Sequence, residues 1–304
     1  MNFAKRTIPN QIMSTDISVD VSSDKYTCYE INDDIDKVIE ILKLFEKNYT
    51  RFSSESELSV LNNSSNYKAP KEMVEILKEC KKYFELTNGI FNPAILPILE
   101  QEGYTVSKSL GFTDKSKTPI SNPVLDFSKL LIVGNVVFKP SNMKLDFGGI
   151  GKGYVADKIS RMLDNKYDNY CVNLGGDLVC KGSDLINNYN SWIIEVEGTS
   201  LLINLNDGAV ATSGVDKRVW ENPKGEEKNH IINPPTKKSL NNSLSKVTVI
   251  AVTATFSDVL AKTILVMGLE KGLNYCNYNN IAAILISDEG IIYVSEKAKI
   301  FIEN

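Results

Sequence analysis

The segment that most constrains how this chain folds is residues 145–158, LDFGGIGKGYVADK, where a short apolar run enters a glycine-rich loop and then becomes a helix. Glycine can adopt positive φ and lets a backbone approach a ligand closely. The first N–H groups of a helix have no partner within it, so a helix beginning near Gly151 presents them to an anion, and Lys152 adds a mobile cation. We therefore expect a phosphate site here, with positive φ at the four glycines, Gly148, Gly149, Gly151 and Gly153.

The glycine spacing alone does not identify a ligand. It matches neither the dinucleotide fingerprint nor the Walker A loop, because the intervals differ and no Lys-Ser or Lys-Thr pair follows the last glycine. A ligand-free turn between a strand and a helix explains one such cluster equally well. The choice depends on the rest of the chain.

Seven further motifs follow one another along the chain. They are IMSTDISVDV (12–21), RFSSESELSVLN (51–62), NGIFNPAILPIL (88–99), VNLGGDL (172–178), ATSGVDKR (211–218), HIINPPT (230–236) and VTVIAVTATFSDVLAKTILVMG (247–268). Together with the glycine loop, and in this order, they resemble the ApbE family of FAD:protein FMN transferases over nearly the whole length. The resemblance implies a single domain over residues 1–304, with two lobes of mixed sheets and packed helices and a flavin nucleotide in the cleft between them.

Composition excludes several classes of partner. The 304 residues carry a net charge of -4, which argues against a general nucleic-acid surface, and no apolar run approaches the roughly 20 residues of a membrane span. The first residues contain no continuous apolar stretch, and Cys28, the first of five cysteines, lies too far into the chain to be a lipid anchor. An odd number of cysteines without CxxC spacing indicates reduced thiols, so we expect a cytoplasmic protein.

Periodicity predicts a mixture of helices and strands, α/β or α+β. Helical stripes cover residues 32–49, with Asn32 or Asp33 as the cap, and residues 70–86. Polar segments at 105–122, 221–229 and 236–245 read as surface loops. Strand-like segments are predicted at 136–138, 170–179, 192–197, 209–212, 246–252, 281–287 and 291–294.

His230 is the only histidine, so a general base that titrates near neutral pH falls on it or on a perturbed carboxylate, lysine or thiol. A lone histidine is more often structural. The resemblance reverses that preference, because it implies a catalytic base at this position. The aspartate usual three residues later is Asn233 here, which carries no charge.

Asp258 opens a predicted helix, with Thr255 or Ser257 as its cap; from the sequence alone it reads as a first-turn aspartate that complements the helix dipole. The resemblance instead implies that Asp258 and the backbone carbonyl of Val155 bind Mg²⁺. The further oxygen ligands usual in the family are replaced by Ala261 and Lys262. Two interpretations of Lys262 stay open: it neutralises the FAD pyrophosphate in place of the metal, or it pairs with Asp258 and leaves a metal-poor, weakly active site.

For the flavin nucleotide the resemblance implies a mixed set of apolar and polar groups, for which core packing is the alternative. Phe52 is best suited to stack on a planar ring. Thr212, Ser213, Asp216 and Arg218 are expected at the mouth of the cleft, although a turn between two strands explains Ser213-Gly214 equally well. The implied nucleotide-binding residues are Met13, Phe52, Ile90, Phe91, Asn92 (usually Asp), Gly149, Gly151, Lys152, Lys158 and Ile232.

The resemblance thus implies an enzyme that transfers FMN from FAD to a Thr or Ser hydroxyl of an acceptor flavoprotein and releases AMP. His230, Lys152 and Lys262 are the expected catalytic residues. Two alternatives remain: an FAD pyrophosphatase, in which water replaces the acceptor, and a non-catalytic FAD-binding protein.

Overall fold

A computed structural model describes residues 1–107, 110–113, 120–222 and 224–302. Part of the predicted loop 105–122 therefore lies outside the described residues. The helices are α1 (Cys28–Tyr49), α2 (Glu57–Asn62), α3 (Lys71–Leu86), α4 (Leu96–Gln101), α5 (Gly151–Asp164), α6 (Ala254–Met267) and α7 (Leu269–Tyr278). Short 3-10 helices cover Pro93–Ile95, Phe127–Lys129 and Glu296–Phe301.

The described strands are numbered in chain order. They are β1 (Asn2–Ile12), β2 (Thr15–Ser23), β3 (Asn66–Lys68), β4 (Leu131–Val133), β5 (Val136–Phe138), β6 (Asn169–Leu174), β7 (Asp177–Lys181), β8 (Trp192–Glu195), β9 (Leu202–Leu205), β10 (Gly208–Gly214), β11 (Val219–Glu221), β12 (Glu227–Asn229), β13 (Ile232–Asn233), β14 (Lys238–Ser239), β15 (Leu244–Ala251), β16 (Ala282–Ser287) and β17 (Ile292–Val294).

One large sheet organises the fold. Its strand order is β1-β2-β6-β7-β10-β15-β16-β17, and every neighbouring pair is antiparallel. Helices and strands are therefore mixed, as predicted, and the antiparallel pairing decides for α+β between the two classes. Small sheets β3-β5-β4, β8-β9, β11-β12 and β13-β14 are attached to this frame.

Alternating side chains of the large sheet pack into cores on both of its faces. On β15, Val249 packs with α6 and α7, whereas the next residue, Ile250, faces Trp192 and Ile203 of the β8-β9 hairpin. The largest core lies between α1, α3, α5 and the β2-β6 part of the sheet. Helices α5 and α6 cross so closely that a Cβ at position 153 would lie 2.5 Å from the Ala254 carbonyl oxygen, and Gly153 makes this approach possible.

Several sequence predictions need correction. Helix α1 begins at Cys28, because Thr27 and Glu30 form a capping box ahead of the predicted caps Asn32 and Asp33. The predicted strand 170–179 is two strands, and the predicted loop 221–229 contains the β11-β12 hairpin. The predicted loop 236–245 contains β14 and the start of β15. The sequence analysis missed the elements β1, β2, β3, β4, β9, β13, α2, α4 and α7. Among the described residues, no helix is long and apolar enough to cross a membrane.

Candidate active site

A cavity of about 770 Å³ lies where the glycine loop, two hairpin turns, the end of β10 and helix α6 meet. This volume falls within the roughly 300–1,000 Å³ of small-molecule sites. Five residues with cationic side chains line it, together with His230; they are Arg51, Lys152, Lys217, Arg218 and Lys262.

The glycine loop is shaped by close contacts rather than by left-handed backbone. None of Gly148, Gly149, Gly151 and Gly153 has positive φ, so that expectation is wrong. Glycine is needed at position 148 because a Cβ there would lie 2.7 Å from Asp146 Oδ1, which accepts a hydrogen bond from the Gly148 N–H at 2.7 Å. At position 153 it allows α5 to approach α6. The loop thus brings the start of α5 against the cavity, as predicted.

Each of the two crossing helices supplies a carboxylate to the N-terminus of the other. Asp157 of α5 accepts hydrogen bonds from the N–H groups of Ala254 and Thr255 at 2.7 and 2.9 Å. Asp258 of α6 accepts one from the Gly153 N–H at 3.2 Å. Helix α6 begins at Ala254 with Thr253 as its cap, so Asp258 lies beyond the first turn and is not the predicted first-turn aspartate.

Two buried acid–base pairs form one side of the cavity. Lys262 pairs with Asp258, which is completely buried, and Lys152 pairs with Asp177, which is 1% exposed. Burial raises the pKa of Asp177, against the opposing charge of Lys152. Burial alone would lower the pKa of Lys262, but the Asp258 and Asp177 carboxylates hold it above its ordinary value. Lys262 therefore stays charged, and both lysines line the cavity.

His230 lines the same cavity as a neutral imidazole. Burial holds its pKa well below the ordinary value, and the positive charges of Arg218, Lys262 and Lys152 lower the pKa further. A hydrogen bond with the Arg218 backbone acts in the opposite direction. The ring nitrogen Nδ1 is buried and has no hydrogen-bond partner within the described part of the chain. A neutral imidazole with a free lone pair can accept a proton from a hydroxyl group.

Two hairpin turns border the cavity side by side. Met13 and Ser14 connect β1 to β2, and each has a φ of 54°. Positive φ is uncommon outside glycine, and a hydrogen bond from the Met13 N–H to Glu46 at 2.8 Å helps to fix this turn. The second turn connects β6 to β7 and contains Gly175, which has a φ of 71°. A Cβ at Gly175 would lie 1.6 Å from Thr15 Oγ1, next to the first turn. Only glycine fits there.

An arginine that contacts two aromatic rings forms another wall of the cavity. The Arg51 guanidinium lies 4.3 Å from the ring centroids of both Phe52 and Tyr104. Its Nε pairs with Asp146 at 2.9 Å, and Nη1 donates to the Tyr104 carbonyl at 3.0 Å. Phe52 is 41% exposed and lines the cavity, so part of its ring remains open to a planar ligand.

Known proteins resemble this chain over most of its length. Residues 13–285 match the model of the ApbE family. The chain belongs to the ApbE family. The FAD:protein FMN transferase of Haemophilus influenzae is 26% identical over 284 residues, covering 85% of this chain and 80% of that protein. For the FAD:protein FMN transferase of Vibrio cholerae the identity is 27% over 283 residues, covering 88% and 84%.

Solved structures agree in fold. The ApbE protein of Thermotoga maritima has a TM-score of 0.84 at 23% identity and covers 100% of both chains. The apo form of the flavinyl transferase ApbE of Pseudomonas stutzeri also has a TM-score of 0.84, at 22% identity, covering 99% of this chain and 96% of that one. The eight-stranded sheet with its packed helices is thus the ApbE fold.

Most of the residues expected from the ApbE resemblance meet at the cavity. Those that line it are Met13, Phe52, Ile90, Phe91, Asn92, Gly149, Gly151, Lys152, His230, Ile232 and Lys262. Three do not: Lys158 instead pairs with Glu72, Val155 is buried within α5, and Asp258 lies behind Lys262. At the mouth, Thr212, Ser213 and Arg218 line the cavity, whereas Asp216 pairs with Lys246 at 3.0 Å.

The two asparagines that stand where ApbE proteins usually have aspartate have different environments. Asn92 accepts from the Ala94 N–H at 2.9 Å and donates to the Leu125 carbonyl at 2.8 Å. An ionised aspartate could not make the second bond, so the amide suits this site. Asn233 accepts from the Thr236 N–H at 3.4 Å within a turn.

The residues present do not fit the divalent ion that the ApbE resemblance implies. The two oxygens of Asp258 are engaged by the Lys262 ammonium and the Gly153 N–H, and a divalent ion beside that ammonium would be repelled. The carbonyl of Val155 lies within α5, where carbonyls accept from the amide four residues on. Within the described ranges, no group of three or more His, Cys, Asp or Glu side chains could hold a metal.

The sequence analysis missed four side chains that organise the site. Asp146 lies in LDFGG and Asp177 in VNLGGDL, so both stood inside recognised motifs without an assigned role. Arg51 begins the motif RFSS, and Tyr104 lies in no motif. Only the structure brings Tyr104 against the Arg51 guanidinium.

Proposed function

We propose that this protein transfers FMN from FAD to a Thr or Ser hydroxyl of an acceptor flavoprotein and releases AMP. The observation that supports this most strongly is that His230, whose Nδ1 has no hydrogen-bond partner among the described residues, lines one cavity together with the cations Lys152, Lys262 and Arg218. The name that the Haemophilus and Vibrio relatives share, FAD:protein FMN transferase, supports this reaction. Residues 1–304 would act as one domain.

In this proposal each part of FAD has a matching surface. The exposed ring of Phe52 stacks on a planar ring of the ligand, and Met13, Ile90, Phe91 and Ile232 supply apolar contacts. The pyrophosphate lies against the start of α5 and the ammonium groups of Lys152 and Lys262. Cations fixed in a buried setting attract phosphate more strongly than cations in bulk water.

The chemical step is attack on phosphorus. The hydroxyl oxygen of the acceptor forms a bond to the FMN phosphorus, while the bond between this phosphorus and the bridging oxygen breaks. The hydroxyl proton moves to His230 Nδ1, and the bridging oxygen leaves with AMP, its charge neutralised by Lys152 and Lys262. No step is routed through a divalent ion.

The proposal places the reaction in the cytoplasm. What supports this is the odd number of cysteines, each a free thiol: Cys28 is exposed, Cys171 is half-buried, and Cys80, Cys180 and Cys276 are buried.

The test is incubation of the protein with FAD and a candidate acceptor, followed by mass analysis of the acceptor and the nucleotides. The expected result is an acceptor that gains the mass of FMN less water, with one AMP for each modification. An acceptor whose target Thr or Ser is replaced by Ala is the matched control. Release of free FMN and AMP at the same rate without acceptor would instead indicate a pyrophosphatase, and bound but unchanged FAD would indicate a binding protein.

A further inference from the structure

The buried pair of Lys262 and Asp258 gives the candidate active site its own fixed cation. Asp258 is completely buried, and the side chain of Lys262 is 19% exposed on the cavity side. The carboxylate therefore lies behind the ammonium group and is shielded from the cavity. A ligand that enters meets the positive group first.

The surroundings hold this ammonium group in place. The carboxylate that anchors it also accepts the Gly153 N–H, so the pair is tied to the start of α5. The Cδ atom of Lys262 would lie 3.6 Å from a Cβ at Gly149, so its stem runs along the glycine loop. Lys152, paired with Asp177, borders the same cavity. Two lysines anchored by buried carboxylates thus face the space where a diphosphate would lie.

We infer that the Lys262 ammonium group takes the place of a divalent cation in this protein, so that the protein binds FAD without any metal ion. This rests on the proposed function, because it assigns the cation that neutralises the FAD pyrophosphate. Of the two interpretations left open by the sequence, it selects direct neutralisation by Lys262. The argument is electrostatic: a second, divalent charge next to Lys262 would be repelled, and the two carboxylates that act on Lys262, Asp258 and Asp177, are each already paired with a lysine.

FAD titration followed by flavin fluorescence tests the inference on the full chain, once in EDTA and once in Mg²⁺, at matched ionic strength because salt screens exposed charges. For the unchanged protein we expect the same Kd in both buffers. Lys262→Met should weaken FAD binding in EDTA by about tenfold or more, which corresponds to about 1.4 kcal/mol. Lys262→Thr, which uncovers Asp258 and adds a hydroxyl, should bind FAD more tightly when Mg²⁺ is present. Lys71→Met, at a 93% exposed lysine side chain, is the matched control.

A double variant separates the two possible roles of Lys262. Asp258→Asn with Lys262→Met removes both buried charges, so it avoids leaving an unpaired carboxylate that could unfold the protein. We expect it to bind FAD more weakly in EDTA than the unchanged protein does, because the ammonium group of Lys262 then no longer faces the pyrophosphate. Binding as tight as that of the unchanged protein would overturn the inference, because Lys262 would then only neutralise Asp258.

Two other results would also overturn it. One is binding of FAD by the unchanged protein only in Mg²⁺, which would leave the proposed function intact. The other is an absence of FAD binding in both buffers, which would refute the proposed function itself.

Discussion

At the level of a single residue, burial determines the protonation state of His230. Its imidazole is kept neutral by burial and by three neighbouring cations, and Nδ1 has no partner among the described residues. Sequence analysis could name this residue, but only the fold buries the imidazole among cations at the cavity and leaves Nδ1 without a partner among the described residues.

We expect His230→Gln to lower the transfer rate by about 10²–10⁴-fold, the usual contribution of a general base, with little change in the Kd for FAD. Steady-state rates and a fluorescence titration check the two quantities. A variant that transfers FMN at the rate of the unchanged protein would show that the acceptor loses its proton elsewhere.

The transfer rate should stay constant over the pH interval in which an ordinary histidine takes up a proton. Because burial and the charges of Arg218, Lys262 and Lys152 hold the pKa of His230 well below 6.5, the base stays neutral as the pH falls from 8 through 6.5. The carboxylates of Asp177 and Asp258, on the lysine side of the cavity, are each paired with a lysine. We therefore expect a flat rate profile over that interval and a loss only at more acidic pH. A rate that halves near pH 6.5 would mean an exposed, unperturbed histidine.

At the scale of elements, α5 and α6 stabilise each other through the exchange of carboxylates at their N-termini. Asp157 accepts two N–H groups of α6, and its side chain also contacts the Thr255 hydroxyl. Negative charge at this end of a helix is favourable, and the bonds are shielded from water.

Asp157→Asn should therefore lower the free energy of unfolding by about 1–3 kcal/mol, because it removes charge-assisted bonds at a buried helix start. Urea unfolding followed by circular dichroism measures this. Asp126→Asn, at the exposed cap of the 3-10 helix Phe127–Lys129, is the control and should change stability by less than about 1 kcal/mol. Equal effects of the two substitutions would contradict the role given to Asp157.

A buried lysine links two other elements. Lys139, which follows β5, donates to the Met143 carbonyl at 2.8 Å and to the carbonyl of Asn62, at the end of α2, at 3.2 Å. Burial, with a smaller contribution from Lys144, lowers the pKa of Lys139 to about 8 from 10.5. The folded state therefore releases this proton more easily than the unfolded state does.

Because the unfolded chain binds more protons between these two pKa values, stability should rise as the pH increases from about 8 towards 10.5. The comparison with Lys139→Met isolates this contribution. Between pH 7.5 and 9.5 the free energy of unfolding of the unchanged protein should gain about 1–2 kcal/mol relative to the variant. The exposed Lys129→Met is the control. Parallel pH curves for the unchanged protein and Lys139→Met would contradict the shifted pKa.

At the scale of the whole molecule, residues from Met13 to Val266 line one cavity. A ligand that fills it contacts segments distant in sequence, and it should stabilise the fold as a unit. At a concentration 100 times its Kd, FAD should add about 2.7 kcal/mol to the free energy of unfolding. Differential scanning fluorimetry should give a larger rise in Tm with FAD than with FMN, and a larger rise with FMN than with riboflavin. Equal shifts for the three flavins would show that the phosphates are not bound.

Lys152→Ala is the variant that assigns this difference to the phosphates. It should reduce the shift caused by FAD and leave the shift caused by riboflavin unchanged, because riboflavin carries no phosphate. Lys71→Met should alter neither shift. An equal reduction for both ligands would place Lys152 at the flavin ring.

Sequence patterns were sufficient to predict a mixture of helices and strands, the family and most residues of the cavity, but not the choice between α/β and α+β. Local patterns suffice for this: the stripe of apolar residues in α3, the strand at Val136–Phe138 and the helix that begins at Gly151 are coded by neighbours in the chain. The ApbE motifs carry Met13, Phe52, Lys152, His230 and Lys262 in the order expected.

Only the fold shows which charged groups pair and why the loop needs glycine at particular positions. Lys158 forms an ion pair with Glu72, and Lys152 forms one with Asp177. Asp258 pairs with Lys262 and also accepts a hydrogen bond from the Gly153 N–H. Apart from Lys262 with Asp258, which one helical turn brings together, these partners lie 25 to 105 residues apart along the chain, a separation that no periodic pattern encodes. Glycine is needed at positions 148 and 153 because Asp146 and α6 leave no room there for a Cβ, and not because the backbone has positive φ. Such close packing depends on the two surfaces that meet, which local sequence does not show.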